Sequence, residues 1–302
     1  MRNYLLLTKP GIIMGNLITT AGGFFLASRG VFQGWLFLTM LAGLGAVIGS
    51  ACVCNNYIDR FTDRKMARTK SRALPSGLIS GAQALFFAAL LALFGFAVLI
   101  QFTNERAVLG AAAGFLIYVA VYSFSKKYTP LATELGSVAG AMPPVIGYAA
   151  AGGGYDMGAL LLFLILLSWQ MPHFFAIAML RINDYAAASI PVLPLVKGNY
   201  ATKIAMALYI IAFLLSAALL TFFEYAGYAY LAVAFGLGVW WLWLCAQGFR
   251  VHNDKLWARK MFRFSLVLIT ALSFMISVDA VKKEPLLSTY FKGKPCEPRS
   301  SS

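Results

Sequence analysis

The chain has 302 residues, of which 60% are hydrophobic and 12% charged. Soluble domains carry about 25% charged residues, so this composition, with a mean hydropathy of +0.75, excludes that class and describes an all-α, polytopic membrane protein. The formal net charge of +14 does not call for nucleic acid, because the basic residues are distributed as membrane topology distributes them.

Apolar stretches near the roughly 20 residues that cross a bilayer fall at 11–28, 35–57, 82–101, 107–124, 133–151, 158–180, 203–222, 227–247 and 262–281. They predict a nine-helix bundle forming one domain, 1–281, followed by a basic tail, 282–302, expected to be disordered. No small-residue cleavage site follows the first apolar run, so that span is expected to be retained. With loops assigned to alternate sides, eighteen Lys and Arg fall on one side, only Arg29 and Arg106 in the opposite loops, and five in the tail. The positive-inside rule then places the N-terminus and the large loops in the cytoplasm, while nine spans put the C-terminus outside, against the rule.

In chain order, Thr8-Lys9-Pro10-Gly11 opens the first helix, with Pro10 suited to a first turn, Lys9 at the interface and Asn16 farther along. The second helix runs into Asn55–Arg72, which holds two of the eleven acids and six of the twenty-five Lys and Arg. If it stays helical, Asn55, Asp59 and Asp63 share a face, with the carboxylates about 6 Å apart along the axis. Leu74-Pro75-Ser76-Gly77 is a turn signature. Tyr118 and Tyr122 lie on one face of the fourth helix, just before Lys126. Pro143-Pro144 predicts a kink in the fifth, near Tyr148. The sixth carries Trp169, Gln170, His173 and Phe174 and leads into Asp184 and Lys197, a second segment with an acid and basic residues. Cys52, Cys54, Cys245 and Cys296 lack the spacing of a zinc or redox pair and are read as buried thiols.

Acids are absent from the middles of the predicted spans, where a proton or ion pathway would leave them. They cluster instead at helix ends on one side. Two readings follow for Asp59 and Asp63. They are a solvated, positively flanked helix end, or a Mg²⁺ site in which carboxylates with Asn55 or Asn56 hold the metal and Arg64, Arg68, Lys70 and Arg72 neutralise a departing diphosphate. The second acid segment favours the site. His173 is either a core histidine or a ligand for iron beside a flat aromatic acceptor. Tyr118, Tyr122 and Tyr148 are interface aromatics or shields for a carbocation.

The ordered set of motifs resembles the intramembrane UbiA-type prenyltransferases over about residues 3–281. Asn55-x-x-x-Asp59-x-x-x-Asp63 and the nine-helix plan carry the general likeness. Lys9-Pro10-Gly11 with Asn16, Asn56 to Arg60, Met66 with Arg68, Pro143-Pro144 to Tyr148, Trp169 to Phe174, Asp184-Tyr185, Ile190 to Pro194, and Ala258-Arg259-Lys260 are similar to the branch that farnesylates haem. The resemblance implies farnesyl diphosphate and haem B as substrates and Mg²⁺ as cofactor. It implies Asp59, Asp63 and Asp184 as metal-binding catalytic residues, with His173 in the catalytic set. Lys9, Asn16, Lys197, Arg259 and Lys260 join the basic residues above as diphosphate binders, and Trp169, Gln170 and Phe174 join the tyrosines in the prenyl and haem pocket. It further implies a multi-pass protein of the cell inner membrane, with haem A synthase or terminal-oxidase assembly factors as partners. One departure concerns the second acid pair usual in quinone-type members: Ala188 stands four residues after Asp184. A quinone-type acceptor, a transporter and a non-catalytic haem carrier are the rival expectations.

Overall fold

The computed structural model describes residues 2–281; the predicted tail at 282–302, and Cys296 with it, lies outside the described residues. The chain runs through α1 (Arg2–Leu7), α2 (Pro10–Ser28), α3 (Gly34–Asp63), α4 (Gly81–Phe102) and α5 (Glu105–Ser125), then the pair α6 (Ala132–Gly140) and α7 (Met142–Ala150). After α8 (Met157–Leu180) come short α9 (Ile182–Ala187) and α10 (Leu193–Val196), and then α11 (Gly198–Phe222), α12 (Tyr228–Gln247) and α13 (Asp254–Val278).

Among the described residues, eight of these helices are long and apolar enough to cross a membrane, not nine. The missing one is the segment expected at 133–151, which is two nine-residue helices meeting at Ala141. Pro143 and Pro144 have no N–H to continue the ladder from α6, and their rings suit the first turn of a new helix. Helix bounds also differ where polar residues continue an apolar run. Helix α3 carries on to Asp63, for 30 residues in all or about 45 Å, and α13 begins at Asp254, on a charged turn that an apolar window overlooks.

Much of the apolar surface faces outward: Phe86 is 67% exposed, Leu93 70% and Ile100 65% on α4 alone. Such a surface is stable only against lipid, which makes the chain a multi-pass membrane protein. Inside, Phe175, Phe213, Tyr230 and Trp241 form the heart of a large apolar cluster shared by α8 and α11 to α13. Helix α13 packs on both α8 and α2, so the last span closes the bundle against the first.

The tightest crossing is between α2 and α7. A Cβ added at Gly23 would land on the Pro144 carbonyl, and one at Gly147 on the Thr20 carbonyl. Without a hydrophobic force between helices in lipid, such backbone-to-backbone approach is what dispersion can exploit. Beyond the C-terminal end of α3, the loop to α4 folds on itself. Thr69 Oγ1 donates to the Asp63 carbonyl at 2.9 Å, Arg64 Nε donates to the Pro75 carbonyl at 2.9 Å, and Gly77 takes φ +80° in the expected turn. Ser80 and Gln83 then cap α4 reciprocally.

Candidate active site

A cavity of about 780 Å³ opens between the ends of α2, α3, α5 and α8 and reaches α7 and α13. Its mouth is polar. Because α3 stays helical through the motif, Asn55, Asp59 and Asp63 line the wall together, as the helical spacing predicts. Lys126, just beyond α5, forms an ion pair with Asp59 Oδ2, and Arg72 Nη1 lies 3.0 Å from Asp63 Oδ2. Lys9 Nζ donates to Asn55 Oδ1 at 2.7 Å, while Asn55 Nδ2 donates to Ser123 Oγ at 3.0 Å.

Two backbone irregularities set this mouth. Lys9 adopts φ 54°, ψ 67°, a left-handed conformation that a non-glycine residue adopts at a cost of about 1–3 kcal/mol. Burial also lowers the pKa of its ammonium. On α5, a π turn at Ile117–Tyr122 is flanked by α-helix; Tyr118 and Tyr122 stack there at 5.3 Å, lining the cavity. π turns recur at functional sites because the extra residue re-aims side chains without ending the helix.

Beyond the mouth the cavity becomes apolar and aromatic, lined by Phe115, Trp169, His173, Phe174 and Phe262. Gln170 also faces it, its amide donating to the Ser137 and Leu166 carbonyls at 3.2 and 3.1 Å. His173 stacks on Trp169 at 4.9 Å and its Nδ1 lies 2.7 Å from Ser265 Oγ. Asn16 and Arg68 complete the set of expected residues that line this space.

Several expected residues are elsewhere. Asn56, one step from Asn55 and so about 100° around the helix, turns away and donates to the Leu7 carbonyl at 2.8 Å. Arg64 is taken up by Pro75. Lys70, Lys197, Arg259 and Lys260 are exposed and do not line the cavity. Tyr148 Oη lies 3.1 Å from Asp156 Oδ2, away from the cavity. Asp184 lines a separate cleft of about 260 Å³ with Asn183, Asn199 and Asp254. Conversely, Lys126, Arg181 and Tyr185 line the main cavity without having been expected there. For Lys126 a signal existed, since it follows Tyr122 by four residues, one helical turn. Burial first, and then the neighbouring Tyr122, pushes the Tyr185 phenol up to about 12.

Among the described residues no three His, Cys, Asp or Glu side chains converge to close a metal shell. The donor set nonetheless suits Mg²⁺, which is usually held by one or two carboxylates together with substrate phosphates. Asp59 Oδ1 is buried with no partner among the described residues. An anionic oxygen left bare in this way is a strong argument for a cation in the working site. Two carboxylates one turn apart, ringed by Lys9, Lys126, Arg68 and Arg72 and backed by an aromatic pocket, can bind a metal-bridged diphosphate and keep its apolar remainder dry.

Fold and cavity together define a membrane-embedded transferase of prenyl groups. The sequence profile of the UbiA prenyltransferase family matches residues 16–267, and the chain belongs to that family. It is 51% identical over 280 residues to the protoheme IX farnesyltransferase of Yersinia enterocolitica, covering 92% of this chain and 95% of that one. A protein of the same name from Protochlamydia amoebophila is 50% identical over 278 residues, at 92% and 98% coverage. Among solved structures, a digeranylgeranylglyceryl phosphate synthase superposes with a TM-score of 0.76 at 21% identity, over 93% of this chain and 99% of that one. A UbiA homolog from Archaeoglobus fulgidus, bound to GPP and Mg²⁺, gives 0.69 at 16% identity, over 91% and 99%.

Proposed function

We propose that the protein transfers the farnesyl group of farnesyl diphosphate to a vinyl group of haem B, releasing diphosphate and forming haem O. The observation that carries the reading is the single cavity in which Asp59 and Asp63 share walls with an aromatic pocket holding His173. The half-identity to protoheme IX farnesyltransferases supports haem as the acceptor over a quinone.

Asp59, Asp63 and Asn55 would hold Mg²⁺, which when bound neutralises the diphosphate as it leaves. The chain's own part is electrostatic and positional. Lys126 and Arg72, now on the carboxylates, can turn to phosphate oxygens once a metal takes their place, with Arg68 at the rim. The allylic carbon–oxygen bond breaks and a vinyl carbon forms the new carbon–carbon bond. Water then adds to the other vinyl carbon and loses a proton, giving a hydroxyl. Tyr118, Tyr122 and Trp169 line the space and keep water from the allylic cation until the vinyl group has reacted. Asp184 has no part in this set unless α9 moves toward the cavity.

The distribution of basic residues across the loops supports an inner-membrane enzyme with the N-terminus and the mouth of the site toward the cytoplasm; nine crossings, counting α6 and α7 together as one, would then put the C-terminus outside. Residues 1–281 act as one catalytic unit, and its product suits haem A synthase or terminal-oxidase assembly factors as recipients. Purified protein incubated with farnesyl diphosphate, haem B and Mg²⁺ is expected to yield haem O by mass spectrometry. No haem O, with farnesylation of a quinone precursor instead, would overturn the choice of acceptor.

A further inference from the structure

The wall formed by α8 and α13 contains a directional hydrogen-bond chain. His173 Nδ1 lies 2.7 Å from the Ser265 hydroxyl, which lies 2.7 Å from the Phe262 carbonyl oxygen. A carbonyl can only accept, and the hydroxyl has one proton to give. Both contacts are satisfied in one way: Ser265 donates to Phe262, and Nδ1 carries a proton and donates to Ser265 Oγ. The lone pair of the neutral imidazole is then on Nε2. Among the described residues Nε2 has no protein partner, and His173 is part of the cavity wall.

The ring is also held against rotation. Trp169 stacks on it at 4.9 Å and 24°, and Phe262 lies at 5.0 Å and 35°. Trp169 is tied to the same serine, its Nε1 donating to the Ser265 carbonyl at 2.9 Å. A histidine serving only to fill the core would be expected to have both nitrogens paired, since a bare one costs about 1–3 kcal/mol. Here one nitrogen is fixed and the other is left unpaired, among the described residues, on a side chain that lines the cavity. That is the arrangement by which metal-binding histidines are built: the second N–H is given to an oxygen, setting the tautomer and aiming the ligand nitrogen.

We propose that Ser265 is a positioning residue that holds His173 as the Nδ1–H tautomer and so presents Nε2 as an axial ligand to the iron of the porphyrin acceptor. This rests on the acceptor being haem. It also gives the reaction its choice of vinyl group. A flat, nearly symmetric molecule anchored through its metal keeps one principal freedom, rotation about the iron–nitrogen bond, and the asymmetric apolar wall then decides which vinyl carbon meets the allylic carbon.

The test uses the full-length protein in detergent, loaded with haem B and no prenyl diphosphate, so that activity plays no part. Resonance Raman of the ferrous state is expected to show an iron–histidine stretching band. His173→Ala should lose the band and regain it with added imidazole. Ser265→Ala should still bind haem, about 10-fold more weakly, with the band displaced, and Ser265→Thr, which keeps the hydroxyl, should return it. If Ser265→Ala does not fold, Ser265→Cys weakens the same acceptor and reads the same band. A band that persists in His173→Ala overturns the ligation, and one unmoved in Ser265→Ala or Ser265→Cys overturns the positioning role. Wild-type protein that makes haem O but shows no histidine band overturns this inference alone; wild-type protein that makes no haem O overturns the choice of acceptor, and this inference with it.

Discussion

Lys126 and Asp59, 67 positions apart in sequence, form an ion pair at the cavity mouth, while the second Asp59 oxygen has no partner among the described residues. A buried acid half satisfied by a lysine is suited to exchange: the ammonium compensates the charge, and a bound divalent ion would supply the same compensation.

Replacing that lysine should therefore expose a dependence on metal. Removing one partner of a buried pair costs up to about 3–5 kcal/mol, so Lys126→Met is expected to lower thermal stability in metal-free detergent. Mg²⁺ should restore more stability to the variant than it adds to wild type, because only a ligand that binds the folded state stabilises it. Melting curves with and without Mg²⁺ check this; equal Mg²⁺ responses would contradict it.

Asp59→Asn and Asp63→Asn keep shape and remove charge. Losing a preorganised electrostatic contact of this kind is worth about 2.7–4 kcal/mol in the transition state, so each should slow Mg²⁺-dependent diphosphate release by about 100-fold or more. A chelator should abolish release by the wild type.

The adjacent asparagines should separate function from stability. Asn55→Ala breaks contacts to Lys9 and Ser123 at the site and is expected to reduce turnover. Asn56→Ala loses the anchor to the Leu7 carbonyl, which should cost about 1–3 kcal/mol of stability and leave turnover of the folded protein near wild type. Reversed effects in paired kinetic and melting measurements would reassign the two residues.

Gly147→Ala should be far more damaging than its one methyl suggests, because the added carbon meets the Thr20 carbonyl. Overpacking of this order costs about 1–3 kcal/mol, read as a lower melting temperature. Gly11→Ala, where a Cβ meets nothing within 4 Å, serves as the neutral control.

Tyr185 supplies a pH signature. Its phenol is pushed up from 10.0 to about 12, so the folded state retains a proton that the unfolded chain has lost between those values. Stability is whole below pH 10 and falls as pH rises toward about 12. Tyr185→Phe should flatten that part of the stability curve.

What could be read before folding was whatever depends on local geometry. Asn55, Asp59 and Asp63 share a wall because helical spacing alone puts them there, and two prolines marked a kink at the place where α6 and α7 are separate helices. The sense in which Asn56 points depended on a single step around α3, too fine a distinction for a motif match. Arg181 and Tyr185 reach the cavity through long-range packing, for which no local pattern exists, whereas Lys126, one turn after Tyr122, carried a local signal that went unused. Asp184 was placed by analogy with the other acid segment, but the turn at α9 directs it into another cleft.

Helix α3, at about 45 Å, outruns a hydrocarbon layer of about 30 Å. With the orientation proposed above, the surplus would hold the carboxylates near headgroup level, where the charged end of an isoprenoid diphosphate would lie. Capture thus requires no ion to cross the bilayer and no lipid to leave it. A donor held at that level would meet the enzyme by lateral diffusion in two dimensions, and only its neutral tail would have to change its surroundings.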